Sequence, residues 1–151
     1  MAVWKKDIKS VEEMEALAAE IGSYLKPPDV LTLEGELGTG KTTFSKALAK
    51  SIGVTRTVSS PTFTIIKQYE GNYPLNHLDV YRLADSEEDL GWDELFYGDA
   101  ISIVEWAQFI QNELPEQRLD MVIRQTGPNA RTIELTPKGE RFTHICEEIF
   151  K

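Results

Sequence analysis

The chain is poor in residues that form disulfides and metal sites. Its 151 residues include one cysteine, Cys146, and two histidines, His77 and His144. A single thiol cannot form an internal disulfide, which fits a reducing compartment. So few histidines and cysteines also fall short of the tetrahedral ligand set of a structural zinc site. Neither disulfides nor structural zinc are therefore expected in this protein.

Long apolar runs and an excess of positive charge are also missing. No apolar run approaches the roughly 20 residues that span a bilayer, and residues 1–7 lack the apolar region of a secretory signal. We therefore expect a cytoplasmic protein. Acidic residues outnumber Lys and Arg by 25 to 16, which gives a net charge of −9. Such a chain repels phosphate backbones and is a poor candidate for tight, direct binding of nucleic acid.

The remaining composition is that of an ordinary globular domain. Hydrophobic residues make up 41% of the chain and aromatic residues 9%, as is typical of folded proteins. A chain of this length can bury a substantial core. Since no internal repeat, low-complexity tract or long linker occurs, we predict a single P-loop ATPase domain over residues 1–151.

Residues 35–42 match the G-x-x-x-x-G-K-[ST] pattern of a phosphate-binding loop. An apolar run precedes them and a helix-like stretch follows, which is the context in which this pattern is specific. Glycines let backbone N–H groups surround phosphate oxygens, and the helix N-terminus adds a favourable dipole. Lys41 can reach the β- and γ-phosphates, and the Thr42 hydroxyl can bind Mg²⁺. The predicted nucleotide-binding residues of this segment are Glu36, Leu37, Gly38, Thr39, Gly40, Lys41, Thr42 and Thr43.

Two acidic residues end predicted strands and can serve this loop. Asp79 ends an extended segment, and Glu105 ends the apolar run 101–104. Ligands bind at the carboxyl ends of strands in open α/β sheets. Asp79 can hold Mg²⁺ directly or through water, and Glu105 can orient a water, act as a base or complete the metal's outer shell. The alternatives are a turn-capping Asp and a Glu paired with a surface lysine; beside a phosphate loop we favour function for both.

Three further features leave two interpretations open. Thr62 lies in a Ser- and Pro-containing loop that is either a γ-phosphate sensor or an ordinary turn. His77 lies two residues before Asp79 and therefore on the same face of the predicted strand. It is either a ligand or a structural residue, and most histidines in such positions are structural. Residues 84–99 contain seven acids and no Lys or Arg. They form either a solvated helix with its apolar face on the core or a docking surface for a basic partner.

The spacing of apolar residues predicts an α/β fold, a P-loop NTPase-like three-layer sandwich with a mixed, mostly parallel central sheet. Helices are predicted over residues 11–25 and 43–52, from residue 106 to 112, and near the C-terminus with Pro137 close to the helix start. Strands are predicted over residues 30–33, 63–69, 73–79, 101–105, 119–124 and 132–135. The strand over 30–33 should be central, because its loop must present the phosphate site at the carboxyl edge of the sheet.

Four motifs together resemble the TsaE family, formerly called YjeE. They are Gly-Glu-Leu-Gly-Thr-Gly-Lys-Thr-Thr (35–43), Ser-Pro-Thr-Phe (60–63), His-Leu-Asp-Val-Tyr-Arg-Leu (77–83) and Val-Glu-Trp (104–106). The resemblance implies the ATPase of bacterial tRNA threonylcarbamoyladenosine (t6A) biosynthesis, using ATP/ADP and Mg²⁺. It also implies TsaD and TsaB as partners, with tRNA reached only indirectly through their complex.

The same resemblance implies roles for individual residues. Asp79 matches the Walker-B-like aspartate, and Glu105 matches an acid implicated in catalysis or metal positioning. Trp106 matches the residue that accompanies this acid at the nucleotide site, and Thr62 matches the switch-like loop. The residues expected in catalysis are Lys41, Glu105 and Asp79. The expected metal ligands are Thr42, Asp79 and Glu105.

Other nucleotide-dependent functions share the loop. A small-molecule kinase of the P-loop class is the alternative, but it needs a second substrate pocket and usually an arginine-bearing lid. A GTPase needs an Asn-Lys-x-Asp segment, and the sequence contains none. A non-catalytic ATP-binding adaptor would share the binding residues and differ in turnover. We expect slow ATP hydrolysis by the chain alone and stimulation by the TsaB–TsaD pair.

Overall fold

The computed structural model describes residues 3–35, 40–55, 66–80, 92–128 and 130–150, without the side chains of residues 108 and 109. These ranges form seven strands, four α-helices and one 3₁₀ helix. In chain order they are β1 (Trp4–Ile8), α1 (Val11–Tyr24), β2 (Val30–Glu34), α2 (Lys41–Ser51), β3 (Ile66–Glu70), β4 (Pro74–Asp79), α3 (Trp92–Phe96), β5 (Ile101–Glu105), the 3₁₀ helix (Ala107–Glu113), β6 (Arg118–Gln125), β7 (Arg131–Lys138) and α4 (Glu140–Ile149).

The strands form one mixed sheet in the order β1-β7-β6-β2-β5-β4-β3. β2 pairs in parallel with β5 and β6, and β4 pairs in parallel with β5. The pairs β1–β7, β6–β7 and β3–β4 are antiparallel, so β1, β2, β4, β5 and β6 all run in one direction. The central place of β2 and the mixed, mostly parallel sheet are confirmed. The phosphate loop therefore leaves the sheet at the edge where its parallel strands end.

Helices cover both faces of this sheet. On one face, α1, α2 and α4 pack on the larger core, in which Leu17, Phe44 and Ile145 are almost fully buried. On the other face, Trp92 and Phe96 of α3 pack with the 3₁₀ helix on a smaller core. Each element thus buries an apolar face against the sheet, and the predicted three-layer arrangement is confirmed.

The first helix forms where its capping signal predicts it. The Ser10 hydroxyl accepts a hydrogen bond from the Glu13 N–H at 3.1 Å, which satisfies one free donor of the first turn. Met14, Leu17 and Ile21 follow at helical spacing and are buried against the larger core. The helix predicted over residues 11–25 is therefore confirmed to within one residue.

Three parts of the secondary structure differ from the prediction. The helix predicted from residue 106 to 112 is a 3₁₀ helix over Ala107–Glu113, and Trp106 before it has a left-handed backbone. β1 was not expected, because Ile8 is its one fully buried side chain and an edge strand of this kind has little apolar pattern. Pro137 lies in β7 rather than in the last helix, which begins at Glu140 after Gly139. β1 pairs with β7 only as far as Leu135. Pro137 lies beyond this pairing, so the backbone N–H that proline lacks is not needed for a hydrogen bond to β1.

Candidate functional site

The described ends of the phosphate loop fit a tight turn before α2. Gly40 has a φ of 110°, in the left-handed region that side chains rarely adopt. A Cβ at this position would lie 3.3 Å from the Met14 side chain. Glycine is therefore the residue that both the backbone and the packing favour there. Residues 36–39 lie outside the described ranges, and their contacts with a nucleotide stay predictions.

Helix α2 begins at Lys41, and Thr42 and Thr43 complete its first turn. The Phe44 N–H donates to the Gly40 carbonyl at 2.9 Å, which closes that turn. The N–H groups of the first turn have no acceptor within the helix, and they lie at the positive end of its dipole. This helix start therefore offers an anion site next to the Lys41 side chain.

Glu105 lies at the centre of the carboxyl edge and has two charged or polar partners. It ends β5 between β2 and β4, and it is 5% exposed. One oxygen, Oε1, lies 3.7 Å from Lys41 Nζ, and the other, Oε2, lies 2.7 Å from His77 Nε2. Partners of this kind compensate the burial of a carboxylate. The lysine that pairs with Glu105 is the phosphate-loop lysine, whose side chain is 13% exposed, rather than a surface lysine.

Asp79 stands beside Glu105, as the strand ends predict. It is the last residue of β4, its register partner in β5 is Glu105, and it is 8% exposed. The N–H of the next residue, Val80, donates to the Glu105 carbonyl at 3.2 Å and extends this pairing beyond the strand. The structure therefore brings both predicted acidic residues to one point of the carboxyl edge.

Trp106 places its ring next to Lys41 through an unusual backbone conformation. Its φ of 62° and ψ of 36° lie in the left-handed region, which costs a residue with a side chain roughly 1–2 kcal/mol. The Lys41 Nζ lies 5.0 Å from the centroid of the Trp106 ring, within cation–π range. Backbone strain of this kind concentrates at functional sites. The position of Trp106 is consistent with its expected place at the nucleotide site.

His77 lies at this site, although the sequence interpretation favoured a structural role for it. It contacts the carboxylate of Glu105 and is 1% exposed, and its role in function stays a prediction. The strand phase indicates the face on which His77 lies, because residues two apart in a strand share a face, but it does not indicate the contact with Glu105. His77 therefore lies on the same face as Asp79, toward the helices that carry the phosphate loop.

The candidate metal ligands at this edge are the oxygen atoms of Thr42, Asp79 and Glu105. Within the described ranges, no group of three or more His, Cys, Asp or Glu residues is arranged to hold a metal by itself. A threonine hydroxyl and carboxylates are nevertheless the ligands with which Mg²⁺ binds in combination with phosphates and waters. A cavity of about 440 Å³ opens beside the loop. Its lining residues are Glu34, Gly35, Trp106, Val122, Ile123, Arg124 and Gln125.

Two features of the sequence fall largely outside the described ranges. Thr62 is one of them, so its role as a switch stays a prediction. Of the acidic segment, residues 92–99 are described, and there α3 buries Trp92 and Phe96 while leaving Asp93 exposed. This part fits the interpretation of a solvated helix with its apolar face on the core. In the part of the chain that is described, no helix has the length and apolar character needed to cross a membrane.

The sequence and the fold of this chain are both similar to those of known proteins. The family model described as threonylcarbamoyl adenosine biosynthesis protein TsaE matches residues 8–133. The tRNA threonylcarbamoyladenosine biosynthesis protein TsaE of Bacillus subtilis (strain 168) is 52% identical over 139 residues, which cover 91% of this chain and 88% of that protein. The protein of the same name from Treponema pallidum is 35% identical, over 83% of this chain and 94% of its own. The crystal structure of Bacillus subtilis YdiB matches with a TM-score of 0.86 and 43% identity, over 99% of this chain and 95% of that one.

Proposed function

The chain belongs to the TsaE family of tRNA threonylcarbamoyladenosine biosynthesis proteins, and we propose that it binds and hydrolyses ATP with Mg²⁺ in that pathway. One observation carries the proposal: Lys41, at the start of α2, lies 3.7 Å from the buried carboxylate of Glu105. A phosphate-binding lysine and a buried acid that can act on water thus meet at the carboxyl edge of the sheet.

Each residue of the site has a distinct role in this proposal. Bound MgATP supplies the phosphoryl bond that is cleaved. Lys41 and the first-turn N–H groups of α2 bind phosphate oxygens and neutralise their charge. Thr42 and Asp79 would provide oxygen ligands for the metal, and Glu105 would contact it directly or through water. Glu105 orients the attacking water or accepts its proton.

Lys41 changes partner when a nucleotide binds. Its ammonium group lies 3.7 Å from the Glu105 carboxylate and 5.0 Å from the centroid of the Trp106 ring. Phosphate oxygens carry more negative charge and accept hydrogen bonds from an ammonium group. They therefore compete with Glu105 for Lys41, and the carboxylate becomes available to water or metal.

We further propose that TsaB and TsaD are the partners and that the protein acts in the cytoplasm. Lys41, the loop amides and the metal are few groups to stabilise transition-state charge, so turnover by the chain alone should be slow. P-loop proteins gain ~10³–10⁵ in rate when a partner supplies or positions a missing group. The net charge of −9 opposes direct tRNA binding, so tRNA is reached through the partners.

The proposal is tested by product analysis with a matched pair of lysine variants. Lys41→Ala removes the phosphate-loop lysine, whereas Lys50→Ala removes an exposed lysine from the far end of the same helix. We expect the wild type and Lys50→Ala to release ADP and inorganic phosphate in equal amounts, and Lys41→Ala to release neither at a measurable rate. ADP formed together with a phosphorylated small molecule, without free phosphate, would identify the kinase alternative instead.

A further inference from the structure

His77 is a buried polar side chain to which the scheme above gives no role. Its Nε2 lies 2.7 Å from Oε2 of Glu105, and its exposure is 1%. Its other ring nitrogen, Nδ1, has no hydrogen-bond partner among the described residues. Among the described residues, the imidazole therefore makes its polar contact with Glu105, the acid proposed to act on water.

We propose that His77 is a positioning residue that fixes the Glu105 carboxylate for ATP hydrolysis, an inference that rests on the function proposed above. An ionised carboxylate only accepts hydrogen bonds, so Nε2 of His77 carries the proton and donates it. The terminal torsion of a glutamate is intrinsically broad. The hydrogen bond to Oε2 restricts that torsion and leaves Oε1 directed toward Lys41.

The two partners of Glu105 differ in how firmly they hold it. The His77 contact of 2.7 Å is a short hydrogen bond, as expected for an ionised acceptor. The Lys41 contact of 3.7 Å is an ion pair beyond hydrogen-bond distance. When phosphate draws Lys41 away, His77 remains bonded to the carboxylate. The buried charge then keeps a donor, and its orientation is preserved in the nucleotide-bound protein.

The position of His77 in the sheet makes it a rigid support. β4 lies between β5 and β3, so its backbone is paired on both sides. The register partner of His77 in β5 is Ile103, two residues before Glu105 on the same face. Its ring therefore reaches Glu105 diagonally across one strand pair, and any movement of the carboxylate relative to β4 would break the hydrogen bond.

Three variants separate positioning from packing. His77→Gln keeps an N–H donor at about the reach of Nε2, whereas His77→Phe keeps a ring and loses the donor. Asn76→Ala is the matched control, since Asn76 lies in the same strand on the opposite face and is 4% exposed. It accepts a hydrogen bond from Gln68 at 3.2 Å and does not belong to the site.

The kinetic experiment measures kcat and KM for ATP hydrolysis, together with thermal unfolding, for all four proteins. We expect His77→Phe to lower kcat ~10-fold or more and to change KM less than ~3-fold, because the lost hydrogen bond acts on the transition state. His77→Gln should recover most of kcat, and Asn76→Ala should keep it despite reduced stability. Wild-type kcat in His77→Phe would overturn the proposal, as would equal losses in the Phe and Gln variants.

A second measurement needs no nucleotide. The ring nitrogens of ¹⁵N-labelled protein are observed by NMR, with the exposed His144 as internal reference. We expect a protonated Nε2 on His77 that exchanges slowly and shifts in Glu105→Gln, whereas a proton on Nδ1 alone would overturn the proposal. Absence of turnover in the wild type would refute the proposed function. The NMR signals of the ring nitrogens would then still show whether His77 donates a hydrogen bond to Glu105.

Discussion

The substitution Glu105→Gln should separate nucleotide binding from hydrolysis. It removes one negative charge at a position that is 5% exposed and keeps a side chain of nearly the same shape. This charge forms an ion pair with Lys41 Nζ at 3.7 Å. The wild type must give up that ion pair to bind phosphate, whereas the variant has no such pair to break.

The size of this effect follows from the ion-pair geometry. Unit charges at the observed 3.7 Å attract by about 4.5 kcal/mol at an effective dielectric constant of about 20. Desolvation and the ordering of both side chains offset most of this attraction, which leaves about 1 kcal/mol. A free energy of about 1 kcal/mol corresponds to ~5-fold in a dissociation constant. Without Mg²⁺, ATP should bind the variant as tightly as the wild type or up to ~5-fold more tightly.

The rate of ATP hydrolysis should fall in Glu105→Gln, although the affinity for ATP should not. A glutamine cannot accept a proton from water, so kcat should fall by ~10²-fold or more. With Mg²⁺ present, any gain in affinity should shrink or reverse, because Glu105 is also an expected metal ligand. Glu147→Gln is the control for net charge, since Glu147 is exposed on α4 and is not among the residues that line the cavity beside the loop.

The assay combines titration calorimetry with ATP, in chelator and in Mg²⁺, with measurement of phosphate release. Loss of ATP affinity by more than ~10-fold in chelator would refute the competition between phosphate and Glu105 for Lys41. A kcat within twofold of the wild type would refute a catalytic role for Glu105. Equal effects of the Glu105 and Glu147 variants would assign the change to net charge alone.

Three further predictions concern single residues. Lys41→Ala should weaken ATP binding ~10-fold or more and should lower the thermal midpoint, because the buried Glu105 loses one of its two partners; an unchanged calorimetric affinity would contradict its assignment. Arg141→Ala should lower the free energy of unfolding in urea by ~2 kcal/mol, because it leaves the buried Asp29 without the guanidinium that binds both its oxygens; a negligible loss would argue against this pair. Burial raises the pKa of the Cys146 thiol from 9.0 to about 11. Its contribution to stability is complete below pH 9.0 and is lost as the pH rises toward about 11. Alkylation of Cys146 at mildly alkaline pH should therefore require unfolding, and rapid labelling of the native protein would contradict this.

Features with a local cause could be predicted from the sequence. The Ser10 cap and the helical spacing after it define α1, and the glycine pattern before Lys41 defines the start of α2. Asp79 and Glu105 were placed correctly because both end apolar strands, and parallel strands end at the same edge of a sheet. Each of these inferences depends on residues that are close together in the chain.

Features that depend on distant pairing could not be predicted in this way. The His77–Glu105 hydrogen bond joins residues 28 positions apart, and it exists because β4 pairs with β5 in one particular register. Pro137 suggests a helix start by itself, but pairing with β6 places it in a strand. The left-handed backbone of Trp106 is a strained state that tertiary packing imposes, and no local propensity indicates it.

The central claim, an ATPase that works with TsaB and TsaD, is tested most directly by ATP turnover of the purified chain with and without the TsaB–TsaD pair. We predict slow release of phosphate by the chain alone and at least ~10-fold stimulation by the pair, and Lys41→Ala should abolish both. Equal turnover with and without the pair, or turnover that survives Lys41→Ala, would contradict it.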